Sequence, residues 1–241
     1  MIQLDDFTIG YGRNTLISHA DAIVGDGRLT ALVGRNGSGK STLLRAIAGL
    51  GVAYTGRALV EGDDMRTIPA SLRARRLAFV TTERIRISSM TCRAVVAMGR
   101  APYTDWIGRL TPRDNEIVDR ALSDIGMSDY ADRTLDSMSD GECQRIMIAR
   151  AMAQDTPVIL LDEPTSFLDL PSRYTLVDLL HRLARDHGKC IFFSTHELDI
   201  ALKMTDDIAL LADNTLRVAP AREMRQSGII FEKFGLDKDF C

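Results

Sequence analysis

Gly34-Arg35-Asn36-Gly37-Ser38-Gly39-Lys40-Ser41 sets two glycines, a lysine and a hydroxyl at the spacing G-x-x-x-x-G-K-[ST]. Glycines let the backbone curl until several N–H groups point inward, and such a ring of donors binds phosphate oxygens. Lys40 would reach the β- and γ-phosphates of a bound nucleotide, and the Ser41 hydroxyl offers Mg²⁺ a hard oxygen ligand. Gly34, Asn36, Gly37, Ser38, Gly39, Lys40, Ser41 and Thr42 are therefore the candidate nucleotide-binding residues of this loop. A second group is Asp162-Glu163, directly after the apolar run Val158-Ile159-Leu160-Leu161. A carboxylate at the end of a buried strand is costly unless it is paired or bound to a metal. Asp162 is thus the candidate metal holder, and Glu163 the candidate base for an attacking water.

These groups need a scaffold that brings them to one edge. Thr30-Ala31-Leu32-Val33 is apolar and runs into the glycine loop, after which Leu43, Leu44, Ala46 and Ile47 recur at helical spacing until Gly49. Ile191-Phe192-Phe193-Ser194-Thr195 is a third apolar strand, and it ends at His196. Continuous apolar strands alternating with helices predict a parallel sheet buried on both faces, with ligands at its carboxyl edge. Residues 1–28 and 54–62 alternate instead, as in Gln3-Leu4-Asp5-Asp6-Phe7-Thr8-Ile9, which predicts an antiparallel flank. Residues 84–136 turn helical. Thr111-Pro112-Arg113-Asp114 reads as a capped helix start, with Ile117, Val118, Ala121, Leu122 and Ile125 on one face before Gly126. The expected organisation is one α/β domain over 1–241, with its core in 1–83 and 137–241 and a helical subdomain inserted at 84–136.

Composition narrows the class. The 241 residues carry 30 basic and 33 acidic side chains, a net charge of −3, so no basic balance points to nucleic acid. No run approaches 18 uninterrupted apolar residues, and Met1-Ile2-Gln3-Leu4-Asp5-Asp6 lacks the basic-then-apolar pattern of a secretory leader. Cys92, Cys143, Cys190 and Cys241 are spread along the chain with no Cys-x-x-Cys pair, which suits neither a zinc site nor a disulfide framework. A cytoplasmic, soluble protein is expected.

With these motifs in place, nearly the whole chain resembles the ATP-binding subunit of ABC transporters. Leu160-Leu161-Asp162-Glu163-Pro164-Thr165 matches that family's metal-and-base segment, and Ser166-Phe167-Leu168-Asp169 its D-loop. His196 matches its switch histidine and Tyr11 the aromatic that stacks on adenine. The resemblance implies a P-loop NTPase core and ATP with Mg²⁺ at the site. Glu163, His196 and Lys40 are then the catalytic set, with Asp169 beside the nucleotide. The family signature Leu-Ser-Gly-Gly-Gln appears here as Met138-Ser139-Asp140-Gly141-Glu142, keeping Ser139 and Gly141, which meet the γ-phosphate across a dimer interface. Asp140 and Glu142 depart from it and bring negative charge toward a polyphosphate. They also suit the start of the helix running through Ile146, Ala149 and Met152. Where the family carries a magnesium-binding Gln, this chain has Thr82 followed by Glu83, and either could serve as the third oxygen ligand.

Gly99-Arg100-Ala101-Pro102-Tyr103-Thr104-Asp105-Trp106-Ile107-Gly108-Arg109-Leu110 and His196-Glu197-Leu198-Asp199-Ile200-Ala201 are similar to segments of importers for iron siderophores, haem and cobalamin. That likeness implies an ATPase subunit at the cytoplasmic face of the inner membrane. It would act as a homodimer beneath integral permease subunits, with a solute-binding protein upstream, and Tyr103 and Trp106 would meet the permease. The alternative is a non-transport ABC ATPase remodelling a soluble partner. The short insert and the missing basic stripe weigh against it. A third reading, a nucleotide-gated module with little catalysis, is opposed by Asp162, Glu163 and His196 together.

Overall fold

The structure, a computed structural model, describes residues 1–12, 14–83 and 89–236. Six strands form the central sheet: β3 (Leu29–Val33), β6 (Leu77–Val80), β7 (Val158–Leu161), β8 (Cys190–Thr195), β9 (Asp207–Ala212) and β10 (Thr215–Pro220). Their order is β10-β9-β3-β8-β7-β6, parallel except for the antiparallel edge strand β10. Both faces of the sheet are covered, so its inner strands β3, β7 and β8 are buried throughout and mostly apolar, and alternate residues enter two different cores. Leu29, Ala31, Val33, Ile159, Leu161, Ile191 and Phe193 join the helical side, while Leu32, Val158, Leu160, Cys190 and Phe192 face the other way.

That other side is roofed by a four-stranded antiparallel sheet in the order β2-β1-β4-β5. Its strands are β1 (Ile2–Tyr11), β2 (Asn14–Val24), β4 (Tyr54–Val60) and the two-residue β5 (Asp63–Asp64). The alternation over residues 1–28 and 54–62 is thus a half-buried flank, as predicted. Helix α1 (Lys40–Ile47) lies in the same apolar layer as this roof, burying Leu43, Leu44, Ala46 and Ile47. Gly49, at φ 67°, takes the left-handed turn that ends it.

The short helix α2 (Ala70–Arg76) precedes β6. Beyond residues 84–88, which lie outside the described residues, come α3 (Cys92–Ala97), a 3-10 stretch at Met98–Tyr103 and α4 (Pro112–Asp124). Both α3 and α4 pack on α5 (Asp140–Ala153). The start of α4 is as read from sequence. Thr111 Oγ1 accepts from the Asp114 amide at 3.2 Å, and Asp114 Oδ2 accepts from the Thr111 amide at 2.9 Å, which is a reciprocal capping box. The helical side of the core is completed by α6 (Leu170–Asp186), α7 (Leu198–Met204), α8 (Ala221–Ser227) and α9 (Ile229–Phe234). Ile230 and Phe231 of α9 are buried there, so the tail packs on the core. Among the described residues no helix is long and apolar enough to cross a membrane, and Cys92 and Cys190 are free thiols.

Asp114 has a second duty. Arg100 Nε donates to its Oδ1 at 2.9 Å, both side chains are 6% exposed, and Arg100 Nη1 donates to the Ala153 carbonyl at 2.8 Å. This buried pair ties the 3-10 stretch, α4 and the end of α5 together. The Thr111 hydrogen bonds, joined by Arg100, hold the Asp114 carboxyl down to about 2 from 3.8. A depressed carboxyl stabilises the fold above its unfolded value and loses that contribution as pH falls through the folded one. We therefore expect Asp114→Asn to destabilise by about 3 kcal/mol near neutrality, because it leaves Arg100 buried and unpaired. Urea melts across pH 2–5 should be flatter for this variant than for the wild type.

Candidate functional site

Parallel register brings the predicted residues to one edge. Val33 of β3 is level with Thr195 of β8, Leu161 of β7 with Phe193, and Val80 of β6 with Leu161. The residues that follow these strand ends, Gly34, Asp162, His196 and Thr82, therefore lie along the carboxyl edge. A cleft of about 570 Å³ opens there, lined by Leu16, Asn36, Gly37, Gly39, Lys40, Ser41, Thr42, Glu163 and His196.

The glycines of the loop are each required. Gly37 and Gly39 have φ of 78° and 103°, which side chains resist. At Gly34 a Cβ would lie 2.6 Å from Ser38 Oγ and 2.8 Å from the Leu211 carbonyl oxygen. Gly39 also opens α1 with no side-chain cap, leaving the helix's first amides and its positive end for the cleft. Ser38 Oγ is buried without a hydrogen-bond partner among the described residues. Unpaired donors grouped at an uncapped helix start fit an anionic, phosphate-bearing ligand. Lys40 Nζ bonds the Gly34 carbonyl at 2.9 Å, and burial pulls its ammonium below the ordinary lysine value despite Glu163 and Asp162.

Ser41 Oγ donates to Asp162 Oδ1 at 2.9 Å. A hydroxyl and a carboxylate already in contact are the hard oxygen donors that Mg²⁺ takes alongside phosphate oxygens, so this pair fits the metal. Thr82 Oγ1 donates to the Asp162 carbonyl at 2.9 Å, and Glu83 is exposed. Glu163 sits at φ 46°, a left-handed conformation uncommon for residues other than glycine and a recurring mark of functional positions. Ser166 Oγ donates to its Oε2 at 3.1 Å, and His196 Nδ1 is 3.8 Å from its Oε1.

Sequence reasoning missed Ser194. This fully buried hydroxyl donates to Asp162 Oδ1 at 2.7 Å and accepts from the Glu163 amide at 2.8 Å, gripping both acids at once. The available signal was a polar residue at the end of an otherwise apolar strand, the same logic that singled out Asp162. Ser194→Ala should lose about 1 kcal/mol of stability, because the part-buried Glu163 amide is left unpaired. It should also lower kcat about tenfold through misplaced acids, with ATP affinity held. Thermal melts beside steady-state kinetics check both. Leu16 was missed as well, since a half-buried residue in an alternating strand carries no chemical mark.

Three predicted residues lie apart from the cleft. Ser139 and Gly141 line a separate cavity of about 250 Å³ with Leu168 and Ser172, and Asp169 N-caps α6 by accepting from the Ser172 amide at 3.1 Å. The side chain of Tyr11 lies outside the described residues. Glu142 does not simply oppose a polyphosphate. Its Oε2 accepts from the Ser139 amide at 2.8 Å and hydroxyl at 2.7 Å, and those bonds lower its pKa. Its charge therefore serves as the cap at the start of α5.

A family model described as "ABC transporter" matches residues 17–166. The chain is 36% identical to the achromobactin transport ATP-binding protein of Dickeya dadantii (strain 3937), over 96% of this chain and 87% of that protein. It is 31% identical to the ferric enterobactin transport ATP-binding protein of Escherichia coli (strain K12), over 96% and 86%. Among solved structures, a chain described as a metal-chelate type ABC transporter in an inward-facing conformation superposes with a TM-score of 0.84 at 26% identity, covering 97% of this chain and 88% of the other. The dimeric structure of a bacterial ABC transporter cassette gives 0.77 at 25%, covering 92% and 99%.

Proposed function

We propose that this chain, which belongs to the ABC transporter family and is an ATPase, powers the import of an iron chelate, haem or cobalamin through separate permease subunits. The observation that carries the reading is the split of its site. Lys40, Ser41, Glu163 and His196 share one cleft, while Ser139 and Gly141 open on another. Two copies arranged head to tail would each complete the other's site.

Gly141 supports this arrangement. It lies in the first turn of α5, where glycine costs about 1 kcal/mol relative to alanine. A Cβ there would meet only Leu168 Cδ2, at an ordinary 3.6 Å. Nothing among the described residues demands glycine there, which fits a close approach from outside, here the γ-phosphate held by a second copy. Phe167 and Leu170, both about 60% exposed beside Asp169, would be covered by the same pairing.

In the closed pair, the α1 amides and Lys40 would hold the triphosphate, with Tyr11 against the base. Ser41 and Asp162 would hold Mg²⁺, which would supply neutralisation of phosphate charge. Thr82, its proton committed to the Asp162 carbonyl, would have a lone pair left to offer the ion. Glu163 would take a proton from the attacking water at a carboxylate oxygen, with Ser166 and His196 fixing its orientation. Loss of the γ-phosphate removes what Ser139 and Gly141 bind in the partner, so the pair reopens. The helical insert, described over residues 89–136, would carry this change to the permease, with Trp106 at 93% and Ile107 at 59% exposure as the contact.

The importer reading follows the relatives above and the 99–110 segment. It places the ATPase on the cytoplasmic face of the membrane, with a solute-binding protein acting on the far side. The test is reconstitution with the neighbouring permease in vesicles. ATP-driven uptake of a labelled ferric siderophore or cobalamin supports it. An ATPase indifferent to any polytopic subunit would favour the soluble-remodelling alternative.

A further inference from the structure

Glu197 directly follows His196, and its side chain is only 8% exposed. It is not at the nucleotide cleft and is absent from the catalytic scheme above. A buried carboxylate with no functional contact is expensive to keep, so its surroundings should explain it. Arg173, one turn into α6 from Asp169, does so. Its Nη1 lies 2.6 Å from Glu197 Oε1, and its Nε donates to the carbonyl of Leu168 at 2.8 Å. One rigid, planar guanidinium thus holds the residue after the switch histidine and the main chain of the D-loop.

The surroundings make this link specific. Leu168 is buried between Phe167, which is exposed at a left-handed φ of 69°, and the capping Asp169. A second tie runs parallel, from Tyr174 Oη to Asp199 Oδ2 at 2.6 Å, joining the N-terminal parts of α6 and α7. The contacts then close a ring around the base. Ser166, in the same loop as Leu168, donates to Glu163 Oε2, and His196 stands 3.8 Å from Glu163 Oε1. Glu163 is therefore approached from the D-loop on one side and from the switch loop on the other. Arg173 is the strut between those two loops. Desolvation raises the Glu197 carboxyl, while Arg173, a hydrogen bond from Thr165 and His196 oppose that and Asp199 adds to it.

We propose that Arg173 and Glu197 are positioning residues that lock the D-loop to the switch loop, so that seating the D-loop against a second copy also sets His196 against Glu163. The proposal rests on the paired-ATPase reading above. It makes the strut a device for timing: a lone chain holds nucleotide, and the base is aligned only when the neighbouring copy fixes residues 166–169.

The test separates positioning from simple stability. Arg173→Met alone strands a buried carboxylate and should lower both Tm and kcat. The double variant Arg173→Met/Glu197→Gln removes both charges and should recover most of Tm. Its kcat should nevertheless stay about 10- to 100-fold down, as for a misplaced reacting group, with the Kd for ATP within about twofold of wild type. Arg173→Lys keeps the charge opposite Glu197 but cannot fork to Leu168 as well, so it should restore Tm without restoring kcat. Wild-type kcat in the double variant or in Arg173→Lys would overturn the proposal, as would a Kd that weakens in step with kcat. If the double variant fails to fold, the lysine variant decides alone. Wild-type turnover and ATP-dependent pairing are measured in parallel. Their absence would sink the paired-ATPase reading itself, whereas their presence with full activity in the variants removes only the strut.

Discussion

Replacing Glu163 by glutamine should leave a protein that binds ATP and hardly turns it over, with kcat down about 100- to 10,000-fold, the range a general base supplies. The substitution is nearly isosteric. The amide oxygen can still accept the Ser166 hydroxyl that now reaches Oε2 at 3.1 Å, and the Glu163 amide keeps its bond to Ser194. Only the ability to take a proton from water is lost. Nucleotide affinity and Tm should therefore stay near wild type, and the γ-phosphate should persist in the site. Single-turnover chemistry beside equilibrium binding reads this directly. Rapid hydrolysis by Glu163→Gln would remove that residue from the mechanism.

Lys40→Ala should fail at the opposite stage. Its ammonium is the buried positive charge of the loop, parked on the Gly34 carbonyl at 2.9 Å. A charge-assisted hydrogen bond to phosphate contributes about 2–3 kcal/mol, so its loss should weaken ATP binding roughly 30- to 150-fold. Burial already disfavours the charged ammonium, so a phosphate replacing a neutral carbonyl partner should be felt strongly. Titration calorimetry with ATP and with AMP separates the effect. AMP affinity should barely change, because the predicted contacts of Lys40 are to the β- and γ-phosphates. An unchanged ATP affinity would count against the cradle.

The parts of this molecule that could be read from sequence are those in which one short stretch contains its own reason. Thr30-Ala31-Leu32-Val33, Val158–Leu161 and Ile191–Thr195 are mostly apolar on both faces because both faces are buried, and that leaves a nearly continuous signature. The glycine loop and the Thr111 cap are local for the same reason. The β9–β10 hairpin was also available, because Asp213 and Asn214 take φ of 49° and 57°, a turn these two residue types tolerate, yet the apolar run before it drew no notice. What could not be read is the pairing of distant groups. Ser194 looked like one polar residue in a strand, and its value lies in bonds to residues far back along the chain. Arg173 and Glu197 were an ordinary surface-type cation and an acid until folding buried one against the other. Glu142 was legible in part: its place at a helix start could be read, but the Ser139 hydrogen bonds that engage its charge depend on helix geometry. The separation of Ser139 and Gly141 from the Lys40 cleft leaves no trace in spacing or composition and was expected only through the family resemblance, and it is the feature on which the functional reading turns.

Sedimentation of Glu163→Gln in saturating ATP, with and without Ser139→Ala, tests that feature most directly. The single variant should sediment at twice its 26.6 kDa mass when ATP is present and as a monomer without it. Adding Ser139→Ala should leave ATP bound with similar affinity but keep the protein monomeric. A Glu163→Gln protein that stays monomeric while saturated with ATP, or a Ser139→Ala protein that pairs as readily, would contradict a site shared between two copies.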